Sequence, residues 1–119
     1  MNMLEPALLH ESMVDASEID SLGHLNVRYY VERARKASYV LLEQSGIALR
    51  EGEGIRWIDT FNRFHREQFE GARLQTYGGF INSDSFEGGS PALSREYFEI
   101  SNPDSKTLAA SFVMSMQIV

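Results

Sequence analysis

Chemically capable residues gather in one short stretch, Glu18-Ile19-Asp20-Ser21-Leu22-Gly23-His24-Leu25-Asn26-Val27-Arg28-Tyr29-Tyr30. A carboxylate, Asp20, and an imidazole, His24, stand four residues apart with Gly23 between them. Glycine lets a backbone turn tightly or approach a ligand. A carboxylate can attack a carbonyl or activate a water. Where such a stretch runs into a helix, the free N–H groups and dipole of the helix start favour negative charge. They can then stabilise the oxyanion that forms when a carbonyl is attacked. These parts suit acyl transfer or hydrolysis. The plainer reading is an aspartate that caps a helix and a histidine that is an ordinary polar residue.

The site needs a helix to present it, and the pattern supplies one. Val27, Tyr30, Val31, Ala34, Ala37, Ser38, Leu41, Leu42 and Ser45 recur at spacings of three and four, which is one face of an amphipathic helix. Asn26 suits the N-cap, because its side-chain oxygen can accept an orphan N–H, and Gly46 suits the C-terminal stop. The spacing predicts a helix over residues 26–45, about 30 Å long at roughly 1.5 Å per residue. Before it, residues 7–14 read as a strand and 15–25 as a loop. After it, 47–54 read as a connector, followed by strands over 56–69, 73–82, 91–101 and 107–119. Turns fall at Glu70-Gly71, Gly88-Gly89 and Asn102-Pro103-Asp104. In the last strand Leu108, Ala110, Phe112, Met114, Met116 and Ile118 alternate with smaller or polar residues, so one face is buried. One long helix among antiparallel strands can bury its stripe only on a sheet face. The expected class is α+β, a curved antiparallel sheet wrapped around one long helix.

Composition narrows the functions. A chain of 119 residues with 43% apolar and 24% charged residues suits a single globular domain, expected over 1–119. There is no cysteine, which excludes a disulfide framework, a thiol nucleophile and a thiolate metal site. The net charge of -6 argues against a nucleic-acid partner. No apolar run approaches the roughly 20 residues needed to cross a bilayer. The first residues show no basic region followed by an apolar run, so the expected location is the cytoplasm. His10 and His65 have no special spacing, and three dispersed histidines predict no metal site.

The motif Asp20-x-x-Gly23-His24-x-Asn26-x-x-x-Tyr30, running into Glu32-Arg33-Ala34-Arg35, resembles the signature of hot-dog-fold acyl thioesterases. It is similar in particular to the 4-hydroxybenzoyl-CoA thioesterase-like and acyl-ACP thioesterase branches. Phe64-His65-Arg66-Glu67-Gln68-Phe69-Glu70-Gly71 resembles the strand and turn that follow in that family. The resemblance implies an acyl thioester hydrolase acting on acyl-CoA or acyl-carrier protein, with no cofactor and no metal. It implies Asp20 as catalytic base or nucleophile, with His24, Asn26 and Glu67 as further catalytic residues. Gly23, Val27, Tyr30, Arg33 and Arg35 would bind substrate: the N–H near Val27 would polarise the carbonyl, and the arginines would meet CoA phosphates or an acidic carrier surface. Leu22 stands where the acyl-ACP branch carries an asparagine, and Val27 replaces the second of two successive asparagines. Those departures favour a simpler Asp-based mechanism over the plant-type network. The resemblance also implies a homodimer or homotetramer. The alternative function is a non-catalytic hot-dog module that binds acyl thioesters.

Overall fold

The helix forms where the spacing places it. In the computed structural model, which describes residues 6–81 and 94–119, α1 spans Val27–Gln44. Asn26 is its N-cap, and the Asn26 Oδ1 accepts the N–H of Arg28 at 3.0 Å. The chain leaves the helix through Gly46 at φ 79, a left-handed conformation that glycine adopts without steric cost.

Five strands follow the expected order: β1 (Ala7–Met13) before the helix, then β2 (Ile55–Phe64), β3 (Arg73–Phe80), β4 (Ser94–Asn102) and β5 (Thr107–Ile118). They form one antiparallel sheet in the order β1-β3-β4-β5-β2. The expected Gly88-Gly89 turn lies outside the described residues, as do Asn82 and residues 91–93 of two expected strands. A 3-10 turn at Ala16–Glu18, closed by a capping box between Asp15 and Glu18, leads from β1 toward the helix.

The core lies between α1 and the sheet, with the helix packed over β1, β3 and β4. Ala34 and Ala37 have no exposed surface and belong to one core cluster with Phe98, Ile100, Phe112, Met114 and Met116. Gly78 in β3 makes a second close approach. A Cβ there would overlap the Phe98 ring and the Tyr97 carbonyl oxygen, so the ring lies directly on the glycine backbone.

The structure departs from the pattern in three places. The helix stripe loses Val27, which is 53% exposed, and Ser45, the exposed C-cap, and gains Arg33, which is buried. The strand expected over 56–69 ends at Phe64. The chain there leaves the sheet because the Gln68 carbonyl pairs instead with the N–H of Leu25 at 2.8 Å. In β5 the register slips: Ile100 faces Ala110 but Ser101 faces Leu108, leaving Ala109 as a bulged, fully buried residue. An extra residue reverses side-chain alternation, so Leu108 joins Phe61, Tyr97 and Val113 along another groove.

Candidate active site

Residues 19–25 form a tight hairpin at the door of the helix. Ile19 and Leu25 make an antiparallel bridge. Inside it the Asp20 N–H donates to the His24 carbonyl at 2.9 Å, and the Gly23 N–H donates to the Asp20 carbonyl at 3.0 Å. The Asp20 Oδ1 accepts from the N–H of Leu22 at 2.9 Å and of His24 at 3.3 Å. Gly23 closes the turn at φ +86, and no atom lies within 4 Å of where its Cβ would stand. The glycine is therefore required by the backbone conformation rather than by close contact. Two bonds seat the hairpin: Leu25 N–H to the Gln68 carbonyl at 2.8 Å, and Asn26 N–H to the Glu18 carbonyl at 3.0 Å.

An open pocket of about 390 Å³ lies beside this hairpin, lined by Asp20, His24, Val27, Tyr30, Phe64 and Glu67, among others. The His24 Nε2 stands 3.2 Å from the Glu67 Oε2, an ion pair whenever the imidazole is protonated. The Phe69 ring meets the imidazole edge-on, with centroids 5.5 Å apart. The Tyr30 hydroxyl donates to the Arg66 carbonyl at 3.4 Å. Burial pushes the Tyr30 phenol up to about 12, so it remains a neutral proton donor. Asn26 caps the N–H of Arg28 with its side chain and that of Tyr29 with its carbonyl. The N–H of Val27 has no acceptor among the described residues. Asp20 retains one oxygen, Oδ2, with no protein donor among the described residues.

The structure thus brings Asp20, His24, Val27, Tyr30 and Glu67 to one pocket. Asn26 and Gly23 shape its entrance and do not line it. Arg33 does not reach it. That side chain is 5% exposed, and its guanidinium donates to both Glu18 oxygens at 2.9 Å, to the Ser12 hydroxyl at 2.9 Å and to the Tyr29 carbonyl at 3.1 Å. The expectation that Arg33 meets substrate phosphates is corrected on that ground: its donors are spent tying α1 to β1 and to the 3-10 turn. Partial burial alone would raise the Glu18 carboxyl, but the hydrogen bonds from Arg33 and the Asp15 N–H hold it below its ordinary value. Arg35 is exposed and stacks over the Trp57 ring at 5.1 Å, outside the pocket lining.

Sequence reading missed Phe64, His65 and Arg66 as pocket walls. His65, which has no special spacing in the sequence, sets its Nε2 3.1 Å from the Ser111 Oγ. No spacing could have found these residues, because they reach the helix start only where the chain leaves β2. Among the described residues no three His, Asp or Glu side chains converge as metal ligands would. No helix of the described residues is long and apolar enough to cross a membrane.

No family model and no curated protein matches the sequence. Solved structures do match. The 1,4-dihydroxy-2-naphthoyl-CoA thioesterase of Synechocystis has a TM-score of 0.76 at 15% identity, covering 94% of this chain and 81% of that one. A Pseudomonas putida protein classed provisionally as a thioesterase has a TM-score of 0.82 at 14% identity, over 98% and 74% of the two chains. A Staphylococcus aureus protein solved in complex with CoA has a TM-score of 0.78 at 15% identity, over 100% and 74%. Identity this low speaks to the fold alone. The fold is the hot-dog fold, one long helix packed against a curved five-stranded antiparallel sheet, as in the Synechocystis and Pseudomonas putida thioesterase structures.

Proposed function

We propose that the chain is a single hot-dog domain that hydrolyses acyl thioesters, with acyl-CoA as the favoured substrate class. The observation that carries this reading is the convergence of the Asp20 carboxylate, the uncapped Val27 N–H and the apolar walls of Tyr30 and Phe64 on one pocket. The thioester carbonyl would sit against the Val27 N–H, where the helix dipole stabilises developing negative charge. Asp20 would take a proton from a water as that water's oxygen adds to the carbonyl carbon. Collapse of the tetrahedral intermediate breaks the C–S bond and releases a carboxylic acid. The proton taken up by Asp20 would pass through His24, which Glu67 holds beside the pocket, to the leaving thiolate, so that the thiol departs and both residues regain their starting state. CoA is favoured over a carrier protein because two of the similar structures, from Staphylococcus aureus and Streptococcus pneumoniae, were solved with CoA, and the Synechocystis enzyme acts on a CoA ester. The exposed Arg28 and Arg35 are the residues proposed to meet its phosphates.

The active form in this reading is a homodimer or a dimer of dimers. β2 is an edge strand whose Ile58, Phe61 and Phe64 are exposed, and Phe64 also lines the pocket. A second copy covering that edge would close the site and hide an unpaired strand. A monomeric mass by light scattering would count against a shared site.

One observation favours a second reading, a binding module without chemistry: the Asp20 Oδ1 is already used to build the hairpin. Asp20→Asn separates the two readings. An asparagine oxygen can accept the same two N–H bonds, so the loop survives while the base is lost. On the hydrolytic reading, turnover across an acyl-CoA panel falls by at least a hundredfold, on the scale of general-base catalysis, with the melting temperature unchanged. Near-normal turnover in Asp20→Asn removes Asp20 as the catalyst.

A further inference from the structure

His24 is gripped by two residues that nothing buries. Glu67 reaches its Nε2 at 3.2 Å with 65% of the Glu67 side chain exposed, and Phe69, itself 55% exposed, meets the ring edge-on. Exposed side chains on an irregular segment do not hold a geometry by themselves. Between them lies Gln68, the one buried residue of 65–71, at 3% exposure. Its carbonyl accepts the N–H of Leu25, the residue after His24, at 2.8 Å. Its side-chain oxygen accepts from the Asn102 Nδ2 at 3.0 Å. Asn102, at the end of β4, is itself oriented, because its Oδ1 accepts the N–H groups of Asp104 at 3.0 Å and Ser105 at 3.1 Å in the β4–β5 turn. Held at both ends, its amide has one place to present Nδ2.

We propose that Gln68 is a positioning residue for His24, and that Asn102 is the tether that holds Gln68 in place. The inference rests on the hydrolytic reading for its catalytic consequence. Its physical content is independent of that reading: Gln68 transmits the rigidity of the β4–β5 turn to the 67–69 segment, and that segment sets where the imidazole stands. The remaining bonds of the segment serve its ends. His65 and Arg66 donate to the Ala109 carbonyl, and Gly71 donates to the Val14 carbonyl. Without the Gln68–Asn102 bond, the span carrying Glu67 and Phe69 keeps only backbone ties, from the Leu25 N–H to the Gln68 carbonyl at 2.8 Å and from the Ala72 N–H to the Phe69 carbonyl at 3.1 Å.

The test uses two variants of the intact chain. Gln68→Met keeps the length and the burial but cannot accept from Asn102. Asn102→Asp keeps the turn bonds, and the Gln68 amide can rotate to donate to the new carboxylate, so the tether is restored with reversed polarity. In the wild type the edge-on Phe69 ring should displace the His24 ring-proton resonances, a shift read by NMR. The expected result is that Gln68→Met loses this displacement while circular dichroism is unchanged. With an acyl-CoA substrate its kcat falls on the order of ten- to a hundredfold, as misplacement of a reacting group does, with KM little changed. Asn102→Asp should retain both signals. An unchanged His24 displacement in Gln68→Met overturns the proposal. So does full kcat in a Gln68→Met protein whose displacement is lost, or an Asn102→Asp protein as impaired as Gln68→Met. A wild type inactive on the whole acyl-CoA panel overturns the hydrolytic reading instead. The ring-current comparison then decides the tether by its loss or persistence.

Discussion

Ser38 in the middle of α1 donates its hydroxyl to the Glu96 Oε1 of β4 at 2.7 Å, inside the core. Trp57 of β2 donates its Nε1 to the same Ser38 oxygen at 3.3 Å, so three side chains link two strands through the helix. Glu96 is fully buried, and its Oε2 has no partner among the described residues. An ionised carboxylate in that position would be costly. Burial pushes the Glu96 carboxyl up to about 7, against the opposing pull of the Ser38 bond.

Folding stability should therefore fall as pH rises. The folded-state value of about 7 lies above the ordinary 4.5, so the fold favours the protonated acid. The contribution is complete below about pH 4.5 and is lost as pH rises through about 7. The difference is worth about 3 kcal/mol. Glu96→Gln keeps an oxygen for Ser38 and removes the titration. Denaturant melts at about pH 5 and about pH 8 should show the wild type losing about 2–3 kcal/mol more than the variant. Parallel losses would mean that Glu96 is not buried in this way.

Gly78→Ala should destabilise the sheet centre. The added methyl meets the Phe98 ring and a backbone oxygen, and the backbone cannot yield as a flexible side chain would. Overpacking of this kind costs about 1–3 kcal/mol, occasionally more. Gly71→Ala provides the comparison, because its Cβ would meet nothing within 4 Å and the strain comes from φ +87 alone. A Gly78→Ala melting temperature equal to that of the wild type would show that Phe98 does not lie on the strand as described.

Arg33 and Arg35 should separate fold from function. Arg33→Met leaves Glu18, whose side chain is 16% exposed, without its partner. Removing one member of a buried pair costs about 3–5 kcal/mol, and Glu18 is near enough to solvent that the lower end is expected. Arg35→Glu should leave stability nearly unchanged and raise KM for acyl-CoA. The reverse pattern, with Arg33→Met raising KM in a fully stable protein, would return Arg33 to the substrate.

The architecture was legible because each element carries its own period. Asn26 and Gly46 mark the helix limits, and the Phe112, Met114 and Met116 alternation marks the buried face of β5. Asp20, His24 and Tyr30 were legible as neighbours because hairpin and helix are contiguous in the chain. What stayed hidden depends on contacts remote in sequence. Arg33 sits at a helix position open to either reading, and only Glu18 and Ser12 make it a buried strut. Leu108 obeys the alternation until one bulged alanine reverses it. Phe64, His65 and Arg66 carry no local signal for the pocket, because it is the Gln68 carbonyl that draws their segment away from β2.

Asn26 offers the sharpest distinction between a residue that acts on substrate and one that shapes the helix start. Its Oδ1 is committed to the N–H of Arg28, and it does not line the pocket. If capping is its role, any good N-cap should replace it. Serine accepts the same kind of bond, whereas alanine cannot, and losing a cap costs about 1 kcal/mol. Asn26→Ser is expected to keep the melting temperature and to hold kcat within about threefold, a barrier change well under the tenfold step of 1.4 kcal/mol. Asn26→Ala is expected to lose stability by about 1 kcal/mol and turnover with it, because a frayed first turn no longer aims the Val27 N–H. The decisive comparison is Asn26→Ser against Asp20→Asn under saturating acyl-CoA. A serine variant that melts like the wild type but turns over as poorly as Asp20→Asn would show that the Asn26 amide touches the reacting thioester, and would move it from the scaffold into the chemistry.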